Sequence, residues 1–165
     1  MPHRESPMPG NSTLELDLGD FLPYRLSVLS NTVSTAIAGA YAQRFGLTIA
    51  QWRVVAVLAR TPGLSAAAVA ERTAMDKVAV SRAVASLVRA GRVRRAMARS
   101  DRRRSMLTLT ARGRVVYARI VPWALEYERR LLAELTARER AQFDMMLARL
   151  QRRARLLGPA GDASV

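Results

Sequence analysis

From Leu22 onward, apolar residues recur at three- and four-residue spacing. Leu22, Leu26, Leu29, Val33, Ile37, Ala40, Tyr41 and Phe45 form one stripe of a helix that Gly46 stops. Pro23 suits its first turn, where a missing N–H costs nothing, so the helix is expected to begin near Asp20 or Phe21. A helix of about 24 residues is roughly twice the mean length, and part of its stripe should pack outside the domain. Ahead of it, residues 1–19 are rich in Pro, Ser and Gly without periodicity and read as a mobile tail.

Polar punctuation divides the rest. Thr48 and Gln51 have capping-box spacing for a second helix, Ile49 to Arg60, which Thr61-Pro62-Gly63 ends. Ser65 can cap a short helix from Ala66 to about Thr73. After a tight connection through Ala74 and Met75, Asp76 can cap a fourth that runs to Gly91. A short helix, a brief turn and a longer helix make a helix-turn-helix. In the longer helix Val80, Val84, Leu87 and Val88 are expected on one inward face, leaving Lys77, Ser81, Arg82 and Arg89 around the rest.

The period then changes from helical to alternating. The run from Arg92 to Thr110 reads as two strand-like arms joined by an arginine-loaded tip. Unpaired guanidinium groups are costly to desolvate, so this tip must face water or an anion. Thr110 closes the second arm and caps a long helix with Val116, Ile120, Trp123, Tyr127 and Leu131 on one stripe, which Pro122 is expected to kink. Thr136 and Glu139 repeat the capping-box spacing for a last helix, Ala137 to Leu157, stopped by Gly158-Pro159. Its near-heptad seam of Phe143, Met146, Leu147, Leu150, Ala154 and Leu157 points to dimerisation through the terminal helices.

Charge sharpens this picture. The chain has 165 residues, enough for one sizeable core, and a formal net charge of +14. Lys77 is the only lysine. Arginine suits phosphate, but a GC-rich genome produces the same bias, so placement says more than identity. The segment from Glu71 to Arg112 carries about +9 of the net charge, which concentrates the field on one part of the surface. Absence of cysteine excludes disulfides, thiolate catalysis, thiol-based sensing and thiolate metal sites. The single histidine, His3, lies in the tail, and no glycine-rich phosphate loop or ligand cluster is present, so neither an enzyme nor a metal or cofactor site is expected. Without a long apolar run or a signal-peptide core, the chain is expected in the cytoplasm and off the membrane.

The order of elements resembles the multiple-antibiotic-resistance regulator (MarR) family of bacterial winged-helix transcription factors, over about Leu22 to Arg153. The most specific portion runs from Val80 to Arg95 and from Ser100 to Gly113. There, the family's wing pattern of Asp-x-Arg, then Leu-Thr and x-x-Gly, is matched by Asp101, Arg103, Leu109, Thr110 and Gly113. The resemblance implies a mainly α fold with a small β-hairpin wing: a winged helix-turn-helix lobe over 47–110, dimerisation helices over 20–46 and 111–157, and a C-terminal tail over 158–165.

It further implies a homodimer that reads a pseudo-palindromic operator in double-stranded DNA, as a repressor released by a small molecule. Arg103 would enter the minor groove, held by Asp101, with Arg99, Arg102 and Arg104 beside it on the wing. Asp101 also fits a solvated turn residue and Arg103 a plain phosphate contact. On the reading helix, Arg82 can bond guanine O6 and N7, Ser81 a base edge or phosphate, and Val78 a thymine methyl. Lys77 and Ser65 complete the set of candidate DNA contacts, each equally suited to a phosphate or a solvated face. Arg92, Arg94 and Arg95 are expected to mix backbone contacts with wing packing.

Effectors of the family are often aromatic carboxylates, bound in a cleft between DNA-binding lobe and dimerisation helices. Tyr24, Arg25, Trp52 and Tyr117 are the candidates here, for an aromatic acid or its aryl thioester, though each also fits packing or surface. A nucleic-acid binder without sequence preference, nucleoid- or RNA-associated, is the alternative. The acid at Asp101 counts against it, because a purely electrostatic binder gains nothing from a carboxylate there.

Overall fold

The computed structural model describes residues 15–97 and 105–158. Its elements are α1 (Leu22–Phe45), α2 (Ile49–Arg60), α3 (Ala66–Thr73), α4 (Lys77–Arg89), β1 (Val93–Met97), β2 (Ser105–Leu109), α5 (Ala111–Leu131) and α6 (Ala137–Leu157). Helix boundaries follow the side-chain caps. Thr48 accepts from the Gln51 amide while Gln51 accepts from the Thr48 amide, and Thr136 and Glu139 do the same at α6. Asp76 accepts from the amides of Val78 at 2.7 Å and Ala79 at 3.2 Å, and Thr110 from that of Gly113 at 3.1 Å. Pro122 lies inside α5, which continues through it as one helix.

The core is built where α2, α3, α4, the base of the hairpin and the first half of α5 meet. Val54, Val55 and Leu58 of α2 pack with Val69 of α3, Val80, Val84 and Leu87 of α4, Leu107 of β2 and Ile120 of α5. Each is nearly fully buried, which stabilises the fold by about 1.5–3 kcal/mol per large side chain. The inward face of α4 differs from the expected one at two positions. Ala83 is buried where Val88 was expected, and Val88 is exposed. An i+8 neighbour has rotated about 80° from its starting residue, which takes Val88 past the edge of a narrow contact stripe.

β1 and β2 pair antiparallel, with Val93 opposite Leu109 and Met97 opposite Ser105. Leu64 adds a third partner: the Leu107 amide donates to its carbonyl at 2.8 Å, while the Gly63 amide donates to the Leu107 carbonyl at 2.9 Å. The connection between α3 and α4 turns on Ala74 at φ 51°, a left-handed conformation unusual for a residue with a Cβ. Ala74 caps α3 there, and the Met75 amide donates to Ala70, which makes the tight turn of the helix-turn-helix.

The terminal helices extend beyond this core, which α1 joins only near its C-terminal end. In α1 only Tyr41 is fully buried, with Ile37 and Phe45 partly so, whereas Leu22, Leu26, Val28 and Leu29 are exposed. In α6 no residue is buried, and Phe143, Met146, Leu150 and Leu157 all face outward. The stripe of α1 thus runs well beyond the domain it joins.

Candidate nucleic-acid interface

α4 presents its N-terminal half to solvent because Val80, Ala83, Val84 and Leu87 claim the other face. Lys77, Val78, Ser81 and Arg82 are all exposed, and Val78 keeps 57% of its surface, a large value for a valine with nothing to pack on. Asp76 ties down the first turn and so fixes the direction in which these side chains point. Ser65 does the equivalent for α3, accepting from the Ala68 amide at 3.2 Å.

Between α3, α4 and the hairpin lies an open groove of about 1120 Å³, bordered by Ser65, Glu71, Lys77, Ser81, Arg95 and Ser105. It brings together three of the expected contact residues, Ser65, Lys77 and Ser81, while Val78 and Arg82 lie on α4 outside its border. Arg95 is the residue that sequence reasoning left in an undifferentiated set. Its signal was the strand alternation: Arg95 pairs with Leu107, so the two share a face of the hairpin, and that face turns toward the helix-turn-helix. Among the described residues, the one ion pair joins Glu126 and Arg129 on α5, and Lys77, Arg82 and Arg95 form none there, although Glu71 and Asp76 line the same groove. Arg99, Asp101, Arg102, Arg103 and Arg104 lie outside the described residues.

Arg94 points to the opposite face. Its Nε donates to the Thr108 hydroxyl at 2.9 Å, and beyond it Arg114 of α5 donates to the Leu109 carbonyl at 2.9 Å. The two arginines flank a crevice of about 500 Å³, walled by Leu58 of α2, Pro62 just after it, Leu109 and Tyr117. Neither arginine stood among the effector candidates, because the fold alone brings Thr108, Leu109 and α2 around them. Tyr117 also stacks on Trp52, with ring centroids 5.9 Å apart, and Trp52 packs on Tyr41 at 5.6 Å. Burial pushes the Tyr41 hydroxyl above its ordinary pKa, with the nearby Arg53 pulling the other way.

Of the four effector candidates, then, Trp52 and Tyr117 meet in one aromatic cluster. Tyr24 and Arg25 do not join it within the chain, since Tyr24 sits 17 residues before Tyr41 on the same helix, about 25 Å along its axis. Among the described residues no group of His, Asp or Glu could hold a metal ion, and no helix is long and apolar enough to cross a membrane.

Residues 45–104 match the model of the MarR family. The chain is 34% identical over 131 residues to the HTH-type transcriptional repressor Rv2887 of Mycobacterium tuberculosis, covering 79% of this chain and 91% of that one. It is 29% identical over 105 residues to the homoprotocatechuate degradative operon repressor of Escherichia coli, covering 64% of this chain and 71% of the repressor. Among solved structures, a MarR/EmrR family regulator from Acinetobacter sp. ADP1 superposes with a TM-score of 0.77 at 26% identity, over 84% of this chain and 97% of that one. The PcaV regulator from Streptomyces coelicolor, solved with its natural ligand, gives 0.71 at 26% identity over 85% and 98%.

Proposed function

The chain belongs to the MarR family of DNA-binding transcriptional regulators, and from that premise we propose that it acts as a homodimeric repressor of a pseudo-palindromic operator. The observation that carries this reading is the groove between α3, α4 and the hairpin, where Lys77 and Arg95 stand beside the exposed first turns of α4 in the segment that carries most of the chain's positive charge. A helix so presented fits a major groove, with Arg82, Ser81 and Val78 toward base edges and Lys77 and Ser65 toward phosphates. The wing residues Arg99, Arg102, Arg103 and Arg104 would follow the adjacent backbone and minor groove, with Asp101 orienting Arg103.

The effector is an aromatic carboxylate or its aryl thioester. Support comes from the crevice beside Tyr117, whose apolar walls suit a ring and whose Arg94 and Arg114 suit a carboxylate. A related repressor governs an operon for degrading homoprotocatechuate, itself an aromatic acid. Binding there would press on the hairpin base through Arg94, Thr108 and Leu109, and so move the wing.

A gel-shift series in rising salt tests the DNA reading. Affinity should fall steeply for a protein that neutralises several phosphates, and a flat response sinks the proposal. The Arg103→Ala variant should lose about 1–3 kcal/mol of operator affinity. Equal affinity for operator and random duplex would instead favour a binder without sequence preference. For the effector, aromatic acids should raise the melting temperature of the protein, because a ligand of the folded state stabilises it by mass action.

A further inference from the structure

The hairpin arginines do not all serve the polyanion-facing surface. Arg92, at its root, turns inward: its Nη2 donates to the carbonyl of Phe45, the last residue of α1, at 2.5 Å. That carbonyl is one of the four that a helix end leaves without an intrahelical donor, and it lies at the negative end of the helix dipole. The Arg92 Nε is buried without a hydrogen-bond partner among the described residues, so the group is held there against a desolvation cost.

The backbone of the same residue joins two further elements. Its amide donates to the Leu87 carbonyl at 2.9 Å, while that of Gly91, at φ 64°, donates to Val88, which together close the C-terminal turn of α4. Its carbonyl accepts from the Thr110 amide at 3.0 Å, while the Thr110 hydroxyl donates to the neighbouring Gly91 carbonyl at 2.7 Å, and Thr110 caps α5. α1, the reading helix, the hairpin and α5 therefore meet at one residue.

We propose that Arg92 is a positioning residue, which fixes the reading helix and wing relative to α1 and α5 and so sets the separation at which the two lobes of a dimer meet DNA. The inference rests on the reading of the chain as a homodimeric DNA binder. A residue that only stabilised the fold would affect every duplex alike. One that sets separation affects discrimination between half-site spacings, since each base pair inserted moves a half-site by about 3.4 Å along the axis.

The test uses the full chain. Wild-type protein first selects a duplex from a random-sequence pool, and its affinity is then measured for that duplex and for versions with one base pair added or removed between half-sites. Wild type should discriminate by about tenfold or more, and Arg92→Met should fall to about threefold or less with its salt slope unchanged. Arg92→Lys, which keeps a cationic donor for the Phe45 carbonyl, should recover most of the discrimination. Unchanged discrimination in Arg92→Met overturns the inference, as does a salt slope smaller by about one, which marks a direct phosphate contact. Should Arg92→Met fail to fold, Thr110→Val probes the same junction from α5: relaxed discrimination supports the inference and wild-type discrimination overturns it. A wild-type chain that enriches no sequence overturns the functional reading and this inference with it.

Discussion

Gly113 shows how much a single missing atom can matter. A Cβ built there would lie 2.1 Å from the carbonyl oxygen of Arg92 and 3.3 Å from the side chain of Leu109. The obstacle is backbone, held by Thr110, so it cannot swing aside as a flexible side chain would. Gly113→Ala should therefore force α5 off the hairpin root, at about 3 kcal/mol and on the order of 10 °C in melting temperature. A thermal melt within about 2 °C of wild type would show that α5 has room to move. At this scale the sequence was legible wherever a side chain serves its own neighbours. Asp76, Thr110 and Thr136 were readable as caps because donor and acceptor lie within three residues. Arg92 was not, because its acceptor lies 47 residues away and only the fold brings the two together. The wing pair Asp101 and Arg103 remained a matter of spacing alone.

Elements were readable to the extent that their periodicity and caps agree. The first turn of α6 is the clearest case: Glu139 accepts from the Thr136 amide at 2.8 Å and from its hydroxyl at 2.7 Å. Those two donors hold the Glu139 carboxyl below its ordinary pKa. A depressed folded pKa means that the cap's contribution is fully present above the unfolded value of about 4.3 and is lost as pH falls through the lower folded value. A carboxyl carbon titration by NMR should place the Glu139 midpoint below that of exposed glutamates, and an ordinary midpoint would mean that the box does not form in solution. In Glu139→Gln the fraying of α6 on acidification should disappear, because the amide keeps the geometry without titrating. Two features escaped the pattern at this scale. Leu64 pairs with the hairpin through backbone alone, which leaves no mark on hydrophobic periodicity. Val88 misled because apolar character told of helix face only to within one residue.

Taken whole, the molecule carries two surfaces with opposite demands. The seam of α6 and the outer half of α1 leave Leu22, Leu26, Leu29, Phe143, Met146 and Leu150 exposed, and no residue of α6 is buried, so its apolar face lacks the packing from which helices in proteins draw most of their stability. A second copy covering both would resolve this, and Met146→Glu with Leu150→Glu should yield monomers by sedimentation. Yet each copy brings a net charge of +14, and α6 itself carries Arg138, Arg140, Arg149, Arg152, Arg153 and Arg155 against Glu139 and Asp144. Apolar contact must hold the copies together against long-range repulsion, which salt screens over about 10 Å at 0.1 M. Dimerisation should therefore tighten as salt rises from low values, whereas operator binding, driven by counterion release, should weaken over the same range. The two slopes are separable by sedimentation of the free protein and by gel shift above the dimer dissociation constant. A dimer that loosens with salt would place ion pairs, and not the apolar seam, at the centre of the interface.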